Sequence, residues 1–259
     1  MKNSFLLSTL AIPLTVTHVE AQEAALVNFV TCPIYRDTDF GRKSGCWLAD
    51  DPTTGQRWDV TQSPYKPDWN YAILVEGRVS DVGPEACGAP VLDAVRTSRL
   101  YDMPCPNHML PDEGYPGREY KLQGRYINPI GVPREIPEGP FKETVFTLYF
   151  EFDQDFLVYQ YDDYLMDKAA TWLSAAQPRK VIVTGYAATG DRTVSGHTLS
   201  ESAGIAQSRA DTVALSLTRL LPELEVETRT SLDSQPVQEP AADGIPGQSQ
   251  RRAEIRAVF

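Results

Sequence analysis

The chain has 259 residues, of which 42% are hydrophobic and 23% are charged, so it can form one large folded domain or two small ones. Its formal net charge is −11 at pH 7, and its calculated isoelectric point is about 4.8. Because an acidic surface repels phosphate backbones and anionic lipid, this charge argues against nucleic acid as a partner.

The N-terminal stretch MKNSFLLSTLAIPLTVTHVEAQ has the features of a secretory signal peptide. Lys2 supplies the positive start, residues 5–16 supply an apolar core, and Val19-Glu20-Ala21 matches a small-residue cleavage site. We therefore predict a signal peptide over residues 1–21, with a buried N-terminal helix as the alternative. The mature protein is expected in the periplasm, either free or associated with the outer membrane, and no later stretch predicts a transmembrane helix.

Four cysteines, Cys32, Cys46, Cys87 and Cys105, all lie in the first half of the sequence. In an exported protein an even number of cysteines predicts disulfides, and three pairings are possible. The sequential pairing, Cys32 with Cys46 and Cys87 with Cys105, closes the shortest loops. Metal binding is the alternative, but the sequence lacks CxxC spacing and clustered histidines, so no metal and no cofactor are expected.

Residues 22–127 show little helical periodicity. YAILVEGRVSDVG and YKLQGRYI have the composition of strands, and turn-forming residues are frequent between them. We predict a small, disulfide-stapled, mostly-β domain here. It is expected to contact another component of the cell envelope, which the sequence does not identify.

A proline- and glycine-rich segment follows over residues 128–143. NPIGVPREIPEGP contains four prolines, which exclude a sustained helix or a central strand. We predict a linker and a domain boundary at this segment.

Residues 144–259 combine strand and helix patterns. The segments TVFTLYFEF, KVIVTGY, LEVETRTS and RRAEIRAVF have the character of strands. Between them, YQYDDYLMDKAATWLSAAQ and the segment from about Ser200 to Leu221 are predicted helices, each ended by a proline. This order predicts an α/β (α+β) sandwich with helices packed on one sheet.

Arg209 stands out within the second predicted helix, GIAQSRADTVALSL. It lies four residues after Ile205 and four before Val213, so its side chain starts from the apolar face of that helix. A guanidinium on a buried stripe serves either a ligand or an internal partner.

Four motifs in this region resemble the OmpA-like C-terminal domain, the peptidoglycan-associating module of Gram-negative envelope proteins. They are LYFEFDQDFL, VIVTGYAATG, IAQSRADTVALSL and QRRAEIRAVF, and they occur in the family's order over about residues 144–259. The resemblance implies noncovalent association with peptidoglycan. It also implies that Arg209 binds a carboxylate of the diaminopimelate-containing stem peptide.

This implied role suits the chemistry of a free amino-acid end. A zwitterion requires one fixed cation and one fixed anion, and a guanidinium can hold both oxygens of a carboxylate. The alternative is that Arg209 passes along the apolar face or pairs internally.

The sequence departs from the family pattern at the anion. Ala188 stands where the family has the Asp that binds the ammonium group, and a methyl group cannot replace it. The following loop, TGDRTVSGHTLSESA, is longer than usual, and Asp191 or Glu201 are the candidates to supply the anion. Arg252 is a secondary candidate to support the ligand loop or pair with an internal acid, whereas Arg251 is expected to be a solvated edge arginine.

An enzyme is the main rival class. Only His108 and His197 remain after signal removal, and no GxSxG motif or convergent set of catalytic groups is present. We therefore expect no enzymatic activity and name no catalytic residue. The second alternative is a periplasmic scaffold or interaction protein that keeps the OmpA-like fold but has lost stem-peptide binding.

Overall fold

The computed structural model describes residues 25–38, 45–81, 86–117, 129, 131–158, 161–232, 234–238 and 242–259. Within these residues the chain is a mixed α/β protein with several separate sheets. The predicted signal peptide, residues 1–21, and the strand predicted from YKLQGRYI lie outside them. None of the helices in the described part of the chain is long and apolar enough to span a membrane.

The N-terminal region, residues 25–117, consists of strands and loops wherever it is described. Its strands are β1 (Leu26–Thr31), β2 (Pro33–Arg36), β3 (Cys46–Asp50), β4 (Arg57–Asp59), β5 (Tyr71–Val79), β6 (Leu92–Pro104) and β7 (His108–Leu110). They form an antiparallel sheet of order β1-β5-β6 and a second sheet of order β4-β3-β2-β7. Ile73 and Val75 on β5 are buried, and β-branched residues of this kind are common in strands.

Two disulfides close this region. Cys46 pairs with Cys87, and Cys32 pairs with Cys105. The pairing that closes the shortest loops is therefore wrong. The sheets determine the partners instead, because they bring together segments 41 and 73 residues apart in sequence.

The C-terminal region, residues 144–259, has one main sheet covered by two helices. Its elements are β8 (Val145–Tyr149), α1 (Tyr161–Ala176), β9 (Lys180–Tyr186), β10 (Arg192–Val194), β11 (His197–Leu199), α2 (Ile205–Leu220), β12 (Val226–Ser231), α3 (Pro246–Gln250) and β13 (Arg252–Val258). The sheet order is β12-β9-β13-β8. β9 and β12, which precede and follow α2 in sequence, are neighbouring parallel strands. β13 is antiparallel to β8 and β9.

The core of this region lies between the sheet and the helices. Alternate residues of the strands and one face of each helix form a single buried cluster, which includes Leu148, Val183, Ile255, Leu173 and Val213. The predicted helices and strands are thus present. α1 spans Tyr161–Ala176 and ends just before Pro178, because the residue preceding a proline is disfavoured in helix.

α2 begins at Ile205, five residues after the predicted start near Ser200. The preceding residues are not helical because they bond to the turn after β8. The backbone N–H and the hydroxyl of Ser202 both donate to Asp153 Oδ1 at 2.8 Å. This arrangement holds residues 200–204 across the end of the sheet.

The long loop between β9 and α2 contains an additional hairpin, formed by β10 and β11. Val194 and Leu199 of the hairpin pack with Phe152 against Val30 and Leu74 of the N-terminal region. The backbone N–H of Val30 also donates to Ser195 Oγ at 3.1 Å. The hairpin therefore contacts the N-terminal sheet directly.

Buried charges complete the contact between the two regions. Arg251 Nη2 lies 2.5 Å from Glu76 Oε2, and Arg96 Nη2 lies 2.8 Å from Asp243 Oδ2. Ser98 donates to Glu151 at 2.8 Å. The predicted boundary at residues 128–143 stays a prediction, but the regions on either side of it share apolar and ionic contacts.

Candidate functional site

The face of α2 that turns toward the sheet is apolar except for Arg209. Ile205, Ala206, Ala210 and Val213 are buried on this face, as their helical spacing predicts. The side chain of Arg209 starts among them and is 0% exposed. Small residues around it allow the guanidinium to reach the end of the sheet.

Gly185 of β9 makes this close approach possible. A Cβ atom at position 185 would lie 1.9 Å from the carbonyl oxygen of Ala206 in α2. Only glycine allows the strand and the helix to approach so closely. The end of β9 therefore lies within reach of Arg209.

Backbone carbonyl oxygens accept hydrogen bonds from all three nitrogen atoms of the Arg209 guanidinium. Arg209 Nε donates to Gln154 O at 2.8 Å, Nη1 to Tyr186 O at 2.7 Å, and Nη2 to Glu151 O at 3.1 Å. The acceptors belong to the end of β9 and to the turn after β8. These contacts fix the plane of the guanidinium.

Glu201 supplies the counter-charge. Its Oε1 lies 2.6 Å from Arg209 Nη2 and its Oε2 lies 3.1 Å from Nη1, a bidentate pairing of fork and carboxylate. Two backbone N–H groups also donate to it, from Asp153 at 2.9 Å and from Ala188 at 2.8 Å. We call the Arg209 guanidinium and these two N–H groups the carboxylate site.

The pair is sealed from solvent, with both side chains 0% exposed. Burial alone would raise the pKa of Glu201, but the charge and hydrogen bonds of Arg209 outweigh it, so this pKa is lowered. Glu201 is therefore an anion at neutral pH. Removing either partner would leave an uncompensated charge inside the protein, which is strongly unfavourable.

The predicted ligand-binding residues are not brought together as an open site. Arg209 pairs internally, the alternative considered for it, because Glu201 neutralises it and the protein encloses both side chains. Asp191, predicted as a ligand-binding anion, is exposed just before β10. Glu201 does come from the longer loop as considered, but its charge is directed at Arg209 instead of a ligand ammonium group.

Arg252 is also held inside the protein. Its Nε donates to Glu254 at 2.8 Å and its Nη1 donates to Ser249 O at 2.9 Å, while the guanidinium lies 4.0 Å from the ring centre of Tyr186. It therefore pairs with an internal acid, one of the two roles considered for it. Its role toward a ligand stays a prediction.

Arg251 differs from expectation. It is buried rather than solvated, because the N-terminal region covers it and presents Glu76. The sequence gives no local signal for this pair, whose members are 175 residues apart. For Glu201 the sequence offered one indication of a role in the site, namely its position in a loop that is longer than the family pattern requires.

No family model and no curated protein matches the chain. Among solved structures, the OmpA-like domain of FopA1 from Francisella tularensis is 17% identical with a TM-score of 0.33, covering 44% of this chain and 71% of that one. The cell wall anchor of the T6SS from Pseudomonas aeruginosa is 23% identical with a TM-score of 0.34, covering 45% and 81%.

The periplasmic domain of MotB is 13% identical with a TM-score of 0.33, covering 53% of this chain and 90% of that one. Likeness at these values carries no argument about ligands or partners.

Proposed function

We propose that this chain is a non-enzymatic protein of the cell envelope whose OmpA-like C-terminal region serves as a scaffold for the β-rich N-terminal region. One observation carries this proposal, namely that Glu201 fills the carboxylate site at Arg209. In this form, the protein does not hold a stem peptide through Arg209.

A free carboxylate would have to displace Glu201, which makes two contacts with the guanidinium and two with backbone N–H groups. Glu201 belongs to the same chain and lies eight residues from Arg209, so it competes at a high effective concentration. A zwitterionic ligand would gain no compensating anion from Ala188. Competition from Glu201 and the lack of an anion at position 188 therefore both weaken the binding of a zwitterionic ligand.

The proposed location is the periplasm. Two disulfides fit an oxidising compartment, in agreement with the predicted signal peptide. The contacts between the two regions support the scaffold role, because they fix one region on the other. We propose that the partner in the envelope is a protein that the N-terminal region contacts.

Peptidoglycan association is the second candidate, and the geometry of the carboxylate site favours it in one respect. A guanidinium and two N–H groups already surround a carboxylate, so the site needs no rearrangement of its donors to accept another one. This function requires Glu201 to leave. The two candidates therefore differ in a single measurable event.

Sedimentation with purified peptidoglycan separates them. We expect the wild type and the surface control Arg229→Ala to stay in the supernatant at low salt. Glu201→Ala combined with Ala188→Asp should pellet, because the carboxylate site is then vacant and an anion stands beside it. If the wild type pellets and Arg209→Lys does not, the scaffold proposal is wrong and peptidoglycan association is supported.

A further inference from the structure

We infer that the β10–β11 hairpin couples the position of the N-terminal region to the closure of the carboxylate site. This inference rests on the proposed closure by Glu201 and adds a regulatory role for the hairpin. When the hairpin leaves the N-terminal sheet, Glu201 is withdrawn and the carboxylate site becomes open to a free carboxylate.

The hairpin is docked on the N-terminal sheet. Val194 and Leu199 are buried against the N-terminal sheet, and Ser195 accepts the N–H of Val30 in β1. Arg192 Nη2 lies 3.3 Å from Oε1 of Glu76 in β5. Apolar packing, a backbone hydrogen bond and an ion pair therefore hold this hairpin on the other region.

Only a short segment of chain joins the hairpin to Glu201. β11 ends at Leu199, and Glu201 follows two residues later. Two residues of extended chain span at most about 7 Å. A movement that takes Leu199 farther than about 7 Å from the present position of Glu201 must pull Glu201 away from Arg209.

The hydrogen-bond donors of the carboxylate site do not belong to the hairpin. Arg209 is on α2, Asp153 lies in the turn after β8, and Ala188 follows β9. β8, β9 and α2 share a core of which Val194 and Leu199 are not members. The carboxylate site therefore keeps its donors when the hairpin moves, and only the internal carboxylate is lost.

Hydrogen exchange of the Asp153 and Ala188 amides reports directly on Glu201, because both amides donate to its carboxylate. In the full chain, Leu199→Ala should accelerate exchange of both amides at least about tenfold, since truncating a buried leucine favours local opening. Arg192→Ala, a milder change at a half-buried residue, should accelerate it about two- to fivefold.

Two matched variants serve as controls. Thr198→Ala alters an exposed position of the same hairpin, and Leu173→Ala makes the same truncation in the core under α1. Neither should accelerate the two amides selectively. If Leu199→Ala leaves both amides as protected as in the wild type, or if Leu173→Ala accelerates them equally, the coupling is wrong.

A separate arm tests the closure itself. Glu201→Ala should show a higher unfolding midpoint in sodium acetate than in sodium chloride of equal ionic strength, because acetate can occupy the vacated site. If acetate has no specific effect on Glu201→Ala, the proposed closure fails. If acetate stabilises Glu201→Ala but the hairpin variants leave the amides protected, only the coupling fails.

Discussion

In the N-terminal region, disulfides join segments 41 and 73 residues apart, and the buried apolar residues fall into small clusters, one of which is shared with the C-terminal region. The C-terminal region contains none of the four cysteines and instead surrounds one larger core with a sheet and two helices. Its most unusual buried element is an ion pair, Arg209 with Glu201.

The difference indicates two ways of holding a region together. Where clusters are small, covalent links restrict the unfolded chain and compensate for limited apolar burial. The C-terminal region instead has one larger core, and it encloses an ion pair whose two members both belong to it; such a pair adds a defined geometry more than it adds stability. Each of the following changes tests one side of this comparison.

The largest effect is expected from Arg209→Ala. This change leaves Glu201 charged and buried without its cation, which costs about 3–5 kcal/mol of unfolding free energy. The control Arg229→Ala removes an arginine that is half exposed and pairs with Glu227 at 2.6 Å, and it should cost less than about 1 kcal/mol. Denaturant titration measures both, and equal costs would contradict the buried-pair description.

Removing the disulfide between Cys46 and Cys87 should cost about 2–5 kcal/mol, with the effect confined to the N-terminal region. The double variant Cys46→Ala and Cys87→Ala makes this change. Three of the four tryptophans, Trp47, Trp58 and Trp69, lie in that region, so fluorescence follows its unfolding separately from Trp172. Simultaneous loss of the far-ultraviolet helix signal at the same denaturant concentration would show that the regions do not differ in this way.

Gly185→Ala should cost about 1–3 kcal/mol or more, because the new methyl group meets the backbone of α2. The clash should also move β9 away from Arg209 and weaken its bond to Tyr186 O. Gly190→Ala is the control, since a Cβ atom there has open space around it. An unchanged unfolding midpoint for Gly185→Ala would show that α2 and β9 are not so closely packed.

The smallest effect concerns pH. Burial raises the pKa of Glu151, against the charges of Arg96 and Arg251, and burial raises the pKa of Asp162 well above its usual value. An acid whose pKa is raised in the folded state binds its proton more tightly there than in the unfolded chain. Its contribution to stability is therefore present at low pH and is lost as pH rises through the folded pKa.

The pKa values of Glu76 and Glu201 are shifted in the opposite direction. Burial would raise their pKa values, but Arg251 and Arg209 respectively outweigh it and lower them. Their stabilisation is present above the unfolded pKa and is lost as pH falls through the folded one. The unfolding free energy should therefore fall from its maximum toward lower pH and toward higher pH, and Asp162→Asn should flatten only the fall toward higher pH. An unchanged alkaline slope in that variant would contradict the raised pKa of Asp162.

The sequence predicted the elements whose periodicity is local. KVIVTGY forms β9 over Lys180–Tyr186, and the apolar faces of α1 and α2 lie where their spacing indicates. The disulfide partners were not predictable in this way, because they depend on which distant strands pair. The contact of Glu76 with Arg251 is of the same kind.

The site shows the same limit. The position of Arg209 on the buried face of α2 was predictable from helical spacing, but its partner was not. Glu201 lies eight residues away and before the start of α2. The path of the chain there depends on the hydrogen bonds of Ser202 to Asp153, which the local pattern does not show.

An NMR pH titration of the Glu201 side-chain carboxyl group in the full chain tests most directly whether Glu201 is the anion that fills the carboxylate site. We expect a pKa below the value of about 4.3 that is usual for glutamate, because Arg209 stabilises the anion inside the protein. A Glu201 carboxyl that titrates at or above that value would show that it does not occupy the carboxylate site.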